Sequence, residues 1–225
     1  MSFQTIINNA SSITIDDRPI TSAVMSRSNR LKTAQRGISI YRIGVSVGRA
    51  FQFTAANRAM LSVLQQKNRT VEEEIRLSAL SGMGYIMGYA GTVSTANLAN
   101  ITIDSYTGST FTLDTSATTG ITSGDTLFDV GDYIQPASSR YTYQVTSAVF
   151  GSDISLGLVD VSVHRPIFTS SSDGGVDITG VGTNGLNVAD NCSFHVKALK
   201  FPTYTIQPGQ LFTFDSDFEF IEVIL

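Results

Sequence analysis

The chain has 225 residues, of which 42% are hydrophobic and 15% are charged, and its formal net charge is −4. This length allows one large domain or two small ones. The charged share lies well below the usual share of about a quarter, which is typical of all-β proteins and of proteins covered by neighbouring subunits. Because the net charge is negative and the basic residues are spread singly, the composition argues against a protein that binds nucleic acid by neutralising phosphates.

Cysteine usage and the N-terminal sequence bear on the compartment. Cys192 is the only cysteine, so an intrachain disulfide or a cysteine zinc cluster cannot form. The N-terminal segment lacks the basic and apolar regions of a signal peptide, and apolar runs stay well below the roughly 18–20 residues that span a bilayer. We therefore expect cytoplasmic synthesis without membrane insertion.

Short runs with alternating or β-branched residues predict strands along the whole chain. These runs are Ile13–Ile15, Ile38–Val47, Ile101–Ile103, Phe111–Leu113, Val159–Val163 and Leu211–Phe220. The last run predicts a strand with a phenylalanine face that packs and a polar face that meets water or a partner. The two faces are Phe212, Phe214, Phe218 and Phe220, and Thr213, Asp215, Asp217 and Glu219.

A single segment, Thr54–Gln66, has the pattern of an amphipathic helix, with Thr54 as its N-cap. The apolar stripe of this helix is expected at Ala56, Met60, Val63 and Leu64. The next segment, Thr70–Leu77, fits a helix that begins with a capping box, but it also alternates as a strand does. We favour the strand.

Tracts rich in glycine, serine and threonine at 94–100, 115–124 and 170–185 divide the chain. They suggest a small β domain, 93–167, inserted into a larger β domain that is formed by 1–92 and 168–225. Within the insert, residues 131–145 predict a hairpin that turns at 136–139. Its second strand should place Tyr141, Tyr143 and Val145 on one face.

Groups that could carry chemistry are few. His164 and His195 are the only histidines, and a structural or interface role is favoured for each. The Gly-x-Ser-x-Gly spacing occurs at 44–48, but its serine stands inside the predicted strand Ile38–Val47, whereas a nucleophile elbow needs the serine at a strand-to-helix turn. Residues 180–185 match the spacing of a dinucleotide-binding loop, but 186–190 have the pattern of a strand or loop instead of the helix that such a motif needs. We predict no catalytic residue, no cofactor site and no metal site.

The acidic residues of the last run could form a calcium site or a general acid/base pair. Asp215, Asp217 and Glu219 would share one sheet face, but the sequence lacks the glycine turn and the closing acid of a calcium loop. A solvated strand surface is favoured. The first fifty residues are locally basic, and their arginines are expected to pair with acids on a neighbouring chain. These arginines are Arg18, Arg27, Arg30, Arg36, Arg42 and Arg49.

Several segments, taken in order, carry a resemblance to a known family. They are Ile40–Val47, Thr54–Gln66, Met83–Gly91, Gly131–Gln135, Tyr141–Thr146, Val161–Pro166 and Phe214–Glu222. In this order the chain resembles the tailed-bacteriophage proteins at the junction of tail tube and baseplate, the distal tail or tube-initiator family. The resemblance implies a tail-tube-like β-sandwich or barrel with one flanking helix, repeated as a ring around a channel.

The resemblance also implies a structural, non-enzymatic role in the tail of a virion, with synthesis in the host cytoplasm. The implied partners are further copies in a homo-oligomeric ring, the tail-tube protein, the baseplate hub and neighbouring tail proteins. DNA would only pass through the channel. Because such a channel should repel phosphate, Asp215, Asp217 and Glu219 are expected to face the lumen or a basic patch on the next subunit.

Two other functions stay open at this point. The first is a carbohydrate-binding β module of a receptor-binding fibre, which would use exposed aromatic side chains such as Tyr133, Tyr141 and Tyr143. The complete absence of tryptophan weighs against it. The second is a hydrolase, which would need a carboxylate pair in a cleft, and for this the sequence offers only Asp215 to Glu219.

Overall fold

The computed structural model describes residues 2–17, 19–25, 31–77, 84–168 and 184–224. The chain divides into two compact units, of which the first comprises Met1–Glu73 and Val196–Ile224 and the second comprises Glu74–His195. The predicted insert, 93–167, lies within the second unit, which begins earlier and ends later. The fold is mainly β with several antiparallel sheets, which confirms the predicted fold class and its flanking helix.

The elements follow in chain order. The first part of the chain contains α1 (Gln4–Ile7), β1 (Ser12–Asp16), β2 (Pro19–Met25), β3 (Leu31–Ser39), β4 (Arg42–Ser46), β5 (Phe51–Gln52), α2 (Ala55–Lys67) and β6 (Glu72–Ile75). The middle contains α3 (Thr95–Leu98), β7 (Thr102–Thr107), β8 (Thr110–Asp114), β9 (Thr126–Phe128), β10 (Tyr133–Pro136), β11 (Tyr143–Gln144), β12 (Val149–Phe150), β13 (Leu158–Ser162) and β14 (Leu186–Val188), with 3-10 turns at Gly84–Met87, Gly151–Asp153 and Ala189–Asn191. The last part contains β15 (Phe194–Lys200), β16 (Tyr204–Gln207), β17 (Leu211–Phe214) and β18 (Phe218–Glu222).

The largest sheet has five strands in the order β1-β4-β18-β15-β6. Its central strands β4 and β18 alternate between buried and less buried positions, which places Ile43, Val45, Phe218 and Phe220 in the core. Phe3, next to α1, packs on Phe220 with ring centroids 5.2 Å apart. The buried residues of β4 and β18 are thus the inward face that the alternation predicts.

A second sheet, β16-β17-β5, and a ribbon of β2 and β3 complete the strands of the first unit. In the ribbon, the seven residues of β2 pair antiparallel with the nine residues of β3, from Pro19 opposite Ser39 to Met25 opposite Leu31. Among the strands that the structure describes, β2 pairs only with β3 and β3 only with β2.

The second unit is built from small sheets. Strands β13-β8-β7 form one, β11-β10-β14 another, and β12-β9 a third. Its core includes Phe111, Tyr143 and the fully buried Arg165, whose guanidinium carbon lies 5.2 Å from the Tyr143 ring centroid. Arg165 also donates to the Thr142 carbonyl at 2.7 Å, so this buried cation is held by packing and by a hydrogen bond.

Two predicted strands are divided in the structure. The run Ile38–Val47 covers the end of β3 and all of β4, with a break at Ile40 and Tyr41. The run Leu211–Phe220 is wrong as one strand: β17 and β18 belong to different sheets and a turn separates them. The alternation continues across the turn because Phe214 and Phe218 pack against each other, with centroids 4.7 Å apart.

Helix α2 and its cap are confirmed, since Thr54 Oγ1 accepts a hydrogen bond from the Asn57 N–H at 3.3 Å. The predicted stripe is partly wrong. Met60 and Leu64 are buried, but Val63 is 39% exposed and Ala56 is exposed, while Leu61 takes the inward position. The strand favoured for Thr70–Leu77 is confirmed as β6, with Ile75 buried.

Candidate functional site

The two histidines hold structural contacts. His164 Nδ1 accepts from the Gln144 N–H at 3.0 Å, and burial together with the nearby Arg165 lowers the pKa of His164 to about 3. This imidazole is therefore neutral near pH 7 and cannot serve as a general acid there. A ring nitrogen of His195 lies 3.3 Å from the Arg140 guanidinium, and since arginine has no acceptor the imidazole nitrogen accepts this bond.

Cys192 is fully buried as a free thiol, and burial raises its pKa. A thiol with a raised pKa carries little thiolate, so it is a poor nucleophile and a poor metal ligand. Within the described ranges, histidine, cysteine and acidic side chains do not gather in groups that could hold a metal ion.

The predicted hairpin is present, with β10 and β11 antiparallel and Ile134 opposite Tyr143. The expectation that these tyrosines are exposed, which the carbohydrate-binding alternative depends on, is wrong. Tyr133 is 8% exposed, and Tyr141 and Tyr143 are fully buried. These rings belong to the core because Tyr143 packs edge-on against Phe111, with centroids 5.2 Å apart.

The acidic residues of the C-terminal run do not share one strand face. Asp215 and Asp217 lie in the turn between β17 and β18, where Asp217 is exposed, whereas Glu219 lies half-buried within β18. Asp215 accepts a hydrogen bond from the Thr205 hydroxyl at 2.7 Å. The turn breaks the alternation on which the shared face depended.

The arginines and the glycine motif are described only in part. Arg42 lies opposite Asp16 in the ladder of β1 and β4, and the Arg49 guanidinium lies 4.9 Å from the Phe51 ring centroid. Arg18, Arg27, Arg30 and residues 180–183 lie outside the described residues, as does the side chain of Arg36. After Gly185 the chain forms strand β14, as the pattern of 186–190 predicts.

The second unit contains a cavity of about 410 Å³. Most of the side chains around it are apolar. Its lining residues are Met87, Gly88, Tyr89, Leu98, Ala99, Ala137 and 185–191. Tyr89 is fixed at its edge because the hydroxyl donates to the Leu127 carbonyl at 2.6 Å, and burial raises the pKa of Tyr89 to about 12. The cavity thus combines apolar walls with the polar side chains of Asn187, Asp190 and Asn191, and the Tyr89 phenol stays protonated at physiological pH.

An exposed turn joins β12 to β13 in the same unit. Ser155 and Leu158 exchange two backbone hydrogen bonds of 2.8 and 2.9 Å, so Leu156 and Gly157 form a two-residue turn. Both have positive φ, 54° and 83°, which is the pattern of a type I′ turn. Asn-Gly is the usual pair there, and a left-handed leucine costs roughly 1–2 kcal/mol. Leu156 is nevertheless 100% exposed.

Sequence reasoning missed both the Leu156 turn and the cavity. For the turn, Gly157 was a signal, because glycine adopts positive φ readily, whereas Leu156 is not a residue that predicts such a turn. The cavity had no such signal, because its lining residues come from four separate segments of the chain.

Along the described parts of the chain, no helix combines the length and apolar character needed to cross a bilayer.

Comparisons with known proteins give no relative to guide the assignment. A scan of protein-family models and a search of curated proteins both found no match to this chain. The geometry of the two units and the order of the sequence segments therefore carry the functional proposal.

Proposed function

We propose that this chain is a structural, non-enzymatic subunit of a bacteriophage tail that forms a homo-oligomeric ring at the junction of tail tube and baseplate. The observation that carries the proposal is the β2–β3 ribbon. A two-stranded ribbon is marginal in water by itself, and within the described residues no further strand pairs with the outer edges of β2 and β3. A ribbon of this length is stable once a further strand or a neighbouring subunit covers it.

The composition supports the same function. A charged share of 15% leaves a surface of neutral polar and apolar groups, which is the composition of surfaces that other subunits cover. Buried polar groups such as the Arg165 guanidinium and the Thr142 carbonyl bond to each other inside the fold. The histidines and the cysteine hold structural positions, which suits a building block better than an enzyme.

In this proposal the ring contacts the tube protein on one side and the baseplate hub and neighbouring tail proteins on the other. DNA passes through the channel without being bound. The carboxylates of Asp215 and Asp217 in the β17–β18 turn would face the channel or a basic patch of the next subunit. Residue charges of this sign keep phosphate from adhering.

Shortening the ribbon tests the proposal. Because Ser22 lies opposite Ala34, replacing residues 23–33 with Asn-Gly closes the ribbon with a two-residue turn and keeps the pairs nearer to Pro19. We expect the shortened chain to stay folded by circular dichroism, but to be monomeric by sedimentation velocity under conditions in which the full chain forms rings. Rings with an unchanged number of subunits from the shortened chain would refute the role of the ribbon.

A further inference from the structure

One face of the sheet β16-β17-β5 carries apolar side chains that the first unit leaves partly uncovered. Phe212 in the middle strand is fully buried, and the cross-strand register places Phe51 on one side of it and Ile206 on the other. Residues that lie directly opposite each other on neighbouring strands share one face of a sheet. Phe51 is only partly buried and Ile206 is 54% exposed, so this apolar row reaches the surface.

Two arginines lie over aromatic rings of this face. The Arg49 guanidinium carbon lies 4.9 Å from the Phe51 ring centroid, and that of Arg58 lies 5.9 Å from the Phe53 centroid. Both phenylalanine rings contact Phe212, with centroids 5.3 and 5.9 Å apart, so the two arginines border one aromatic cluster. A guanidinium that stacks on a ring is held in a fixed orientation and can still bind an oxygen ligand through its N–H groups.

The charges of the two arginines are not balanced within the described part of the chain. Arg49 and Arg58 are exposed, and among the described residues neither guanidinium has a carboxylate at ion-pair distance. Asp215, the acidic residue that follows β17, accepts from the hydroxyl of Thr205, which strand alternation places on the opposite face of the sheet. The face thus combines positive charge with apolar surface, and its complement is a partner that presents carboxylates beside apolar side chains.

A single-stranded nucleic acid would also supply acidic groups, but the face suits it less. Proteins bind single strands by stacking bases on open aromatic rings, whereas guanidinium groups already lie over the rings of Phe51 and Phe53. The net charge of −4 also opposes the approach of a polyanion. Ile206 offers an aliphatic side chain, which adds no surface for base stacking and suits the apolar side chains of a protein.

We propose that this face is a docking surface for a segment of a partner protein in which acidic residues stand beside apolar ones. The carboxylates of the segment pair with Arg49 and Arg58, and its apolar side chains cover Phe51 and Ile206. Arginine forms directional hydrogen bonds to carboxylates, and the apolar contact removes surface from water. The inference goes beyond the proposed ring, since it states the chemistry of a partner and concerns a surface within one chain.

Selection from a library of random peptides tests the chemistry of the partner. The immobilised unmodified chain captures peptides, and a chain with both Arg49→Gln and Arg58→Gln removes those that bind elsewhere. Both positions are exposed, so the double variant should keep the circular dichroism spectrum of the unmodified chain. We expect the remaining peptides to be enriched in aspartate and glutamate next to aliphatic or aromatic residues. Peptides without this enrichment, or none at all, would overturn the inference.

Single variants then separate the two arginines from general charge. By fluorescence anisotropy with a selected peptide, we expect Arg49→Gln and Arg58→Gln each to weaken binding about fivefold or more. Arg42→Gln is the matched control, because Arg42 is an exposed arginine of the same unit that lies opposite Asp16. It removes the same charge and should bind within about twofold of the unmodified chain. Equal losses in all three variants would reduce the effect to net charge and refute the docking surface.

The apolar part of the surface and the alternative ligand have their own tests. Ile206→Thr keeps a β-branched residue in β16 and should weaken peptide binding, whereas Val130→Thr, at a position of the second unit that is 61% exposed, should not. Single-stranded oligothymidylate is the second probe, and we expect it not to bind. If it binds and Arg49→Gln abolishes the binding, the face belongs to nucleic acid and the protein partner is refuted. Ring formation is measured separately, so either proposal can fail without the other.

Discussion

Gln135 and Ser193 are joined by a reciprocal pair of hydrogen bonds across 58 residues of chain. The Ser193 N–H donates to Gln135 Oε1 at 2.9 Å, and Gln135 Nε2 donates to the Ser193 carbonyl at 3.2 Å. The side-chain amide thereby pairs with a backbone peptide as a neighbouring strand would. Both residues are buried, at 2% and 6% exposure, so water cannot replace either bond.

Replacing this amide should destabilise the second unit. Gln135→Leu keeps a similar volume but leaves the Ser193 N–H and carbonyl without these bonds, at an expected cost of about 1–3 kcal/mol in the free energy of unfolding. Gln207→Leu, at an exposed position of β16, should change it by less than about 0.5 kcal/mol. Urea denaturation followed by circular dichroism measures both, and equal values would refute the structural role of Gln135.

Gly151 should be required at its position because the surrounding atoms leave no room for a Cβ atom. An added Cβ would lie 2.9 Å from the Thr122 carbonyl carbon and 3.1 Å from Ile121 Cγ2, with the Thr122 carbonyl oxygen closer still. Because backbone must move, we expect Gly151→Ala to cost about 1–3 kcal/mol. Gly124→Ala is the control, since a Cβ there meets nothing within 4 Å. Thermal unfolding should show a lower Tm for Gly151→Ala and an unchanged Tm for Gly124→Ala. An unchanged Tm for Gly151→Ala would contradict the predicted clash, because the backbone near Thr122 would then move at little cost.

The free energy of unfolding should depend on pH through His164. Its pKa is about 3 in the folded chain and 6.5 as the ordinary value. Between these values the unfolded chain binds more protons, so the folded state loses stability as pH falls from about 6.5 towards 3. His164→Asn keeps an acceptor for the Gln144 N–H but does not titrate.

We expect the unmodified chain to lose on the order of 2 kcal/mol more than His164→Asn between about pH 6.5 and pH 4. Comparing the two chains at each pH by urea denaturation cancels the contributions of the carboxyl groups that they share. Parallel pH profiles would contradict the depressed pKa of His164.

The N-cap of α2 should contribute measurably to stability. Thr54→Ala removes the acceptor for the Asn57 N–H, at an expected cost of about 1 kcal/mol, whereas Thr54→Ser keeps the hydroxyl and should cost much less. Chemical denaturation of the three chains tests this order. A serine variant as unstable as the alanine variant would assign the effect to the lost methyl group instead of the cap.

Strands in which apolar and polar residues alternate, with the apolar ones buried, were predictable from the sequence. Phe111 and Leu113 in β8, and Val159 and Val161 in β13, are buried at every second position, as a strand with one covered face requires. The α2 cap was predictable for a similar reason, since a threonine hydroxyl satisfies a backbone N–H within its own turn. These features depend on neighbours that are close in sequence.

Features that depend on distant partners were not predictable. The period-two pattern of Leu211–Phe220 indicates that the phenylalanines are buried, but it does not indicate which strands pair. The turn at Asp215 to Asp217, which separates two strands of different sheets, was therefore missed. The sequence could not exclude that Tyr141 and Tyr143 form an exposed aromatic surface. It does not reveal that the Phe168 ring centroid lies 4.4 Å from that of Tyr141. The cavity near Leu98 and Leu186 likewise exists only after distant segments meet.

Negative-stain electron microscopy of the purified chain, alone and with the tail-tube protein that the proposal makes its partner, tests the central proposal most directly. We expect closed rings with a central channel, or rings that cap the ends of tubes, and a solution mass that is an integer multiple of 24.2 kDa. Particles that remain single chains both alone and in the presence of the tube protein would contradict the proposed ring.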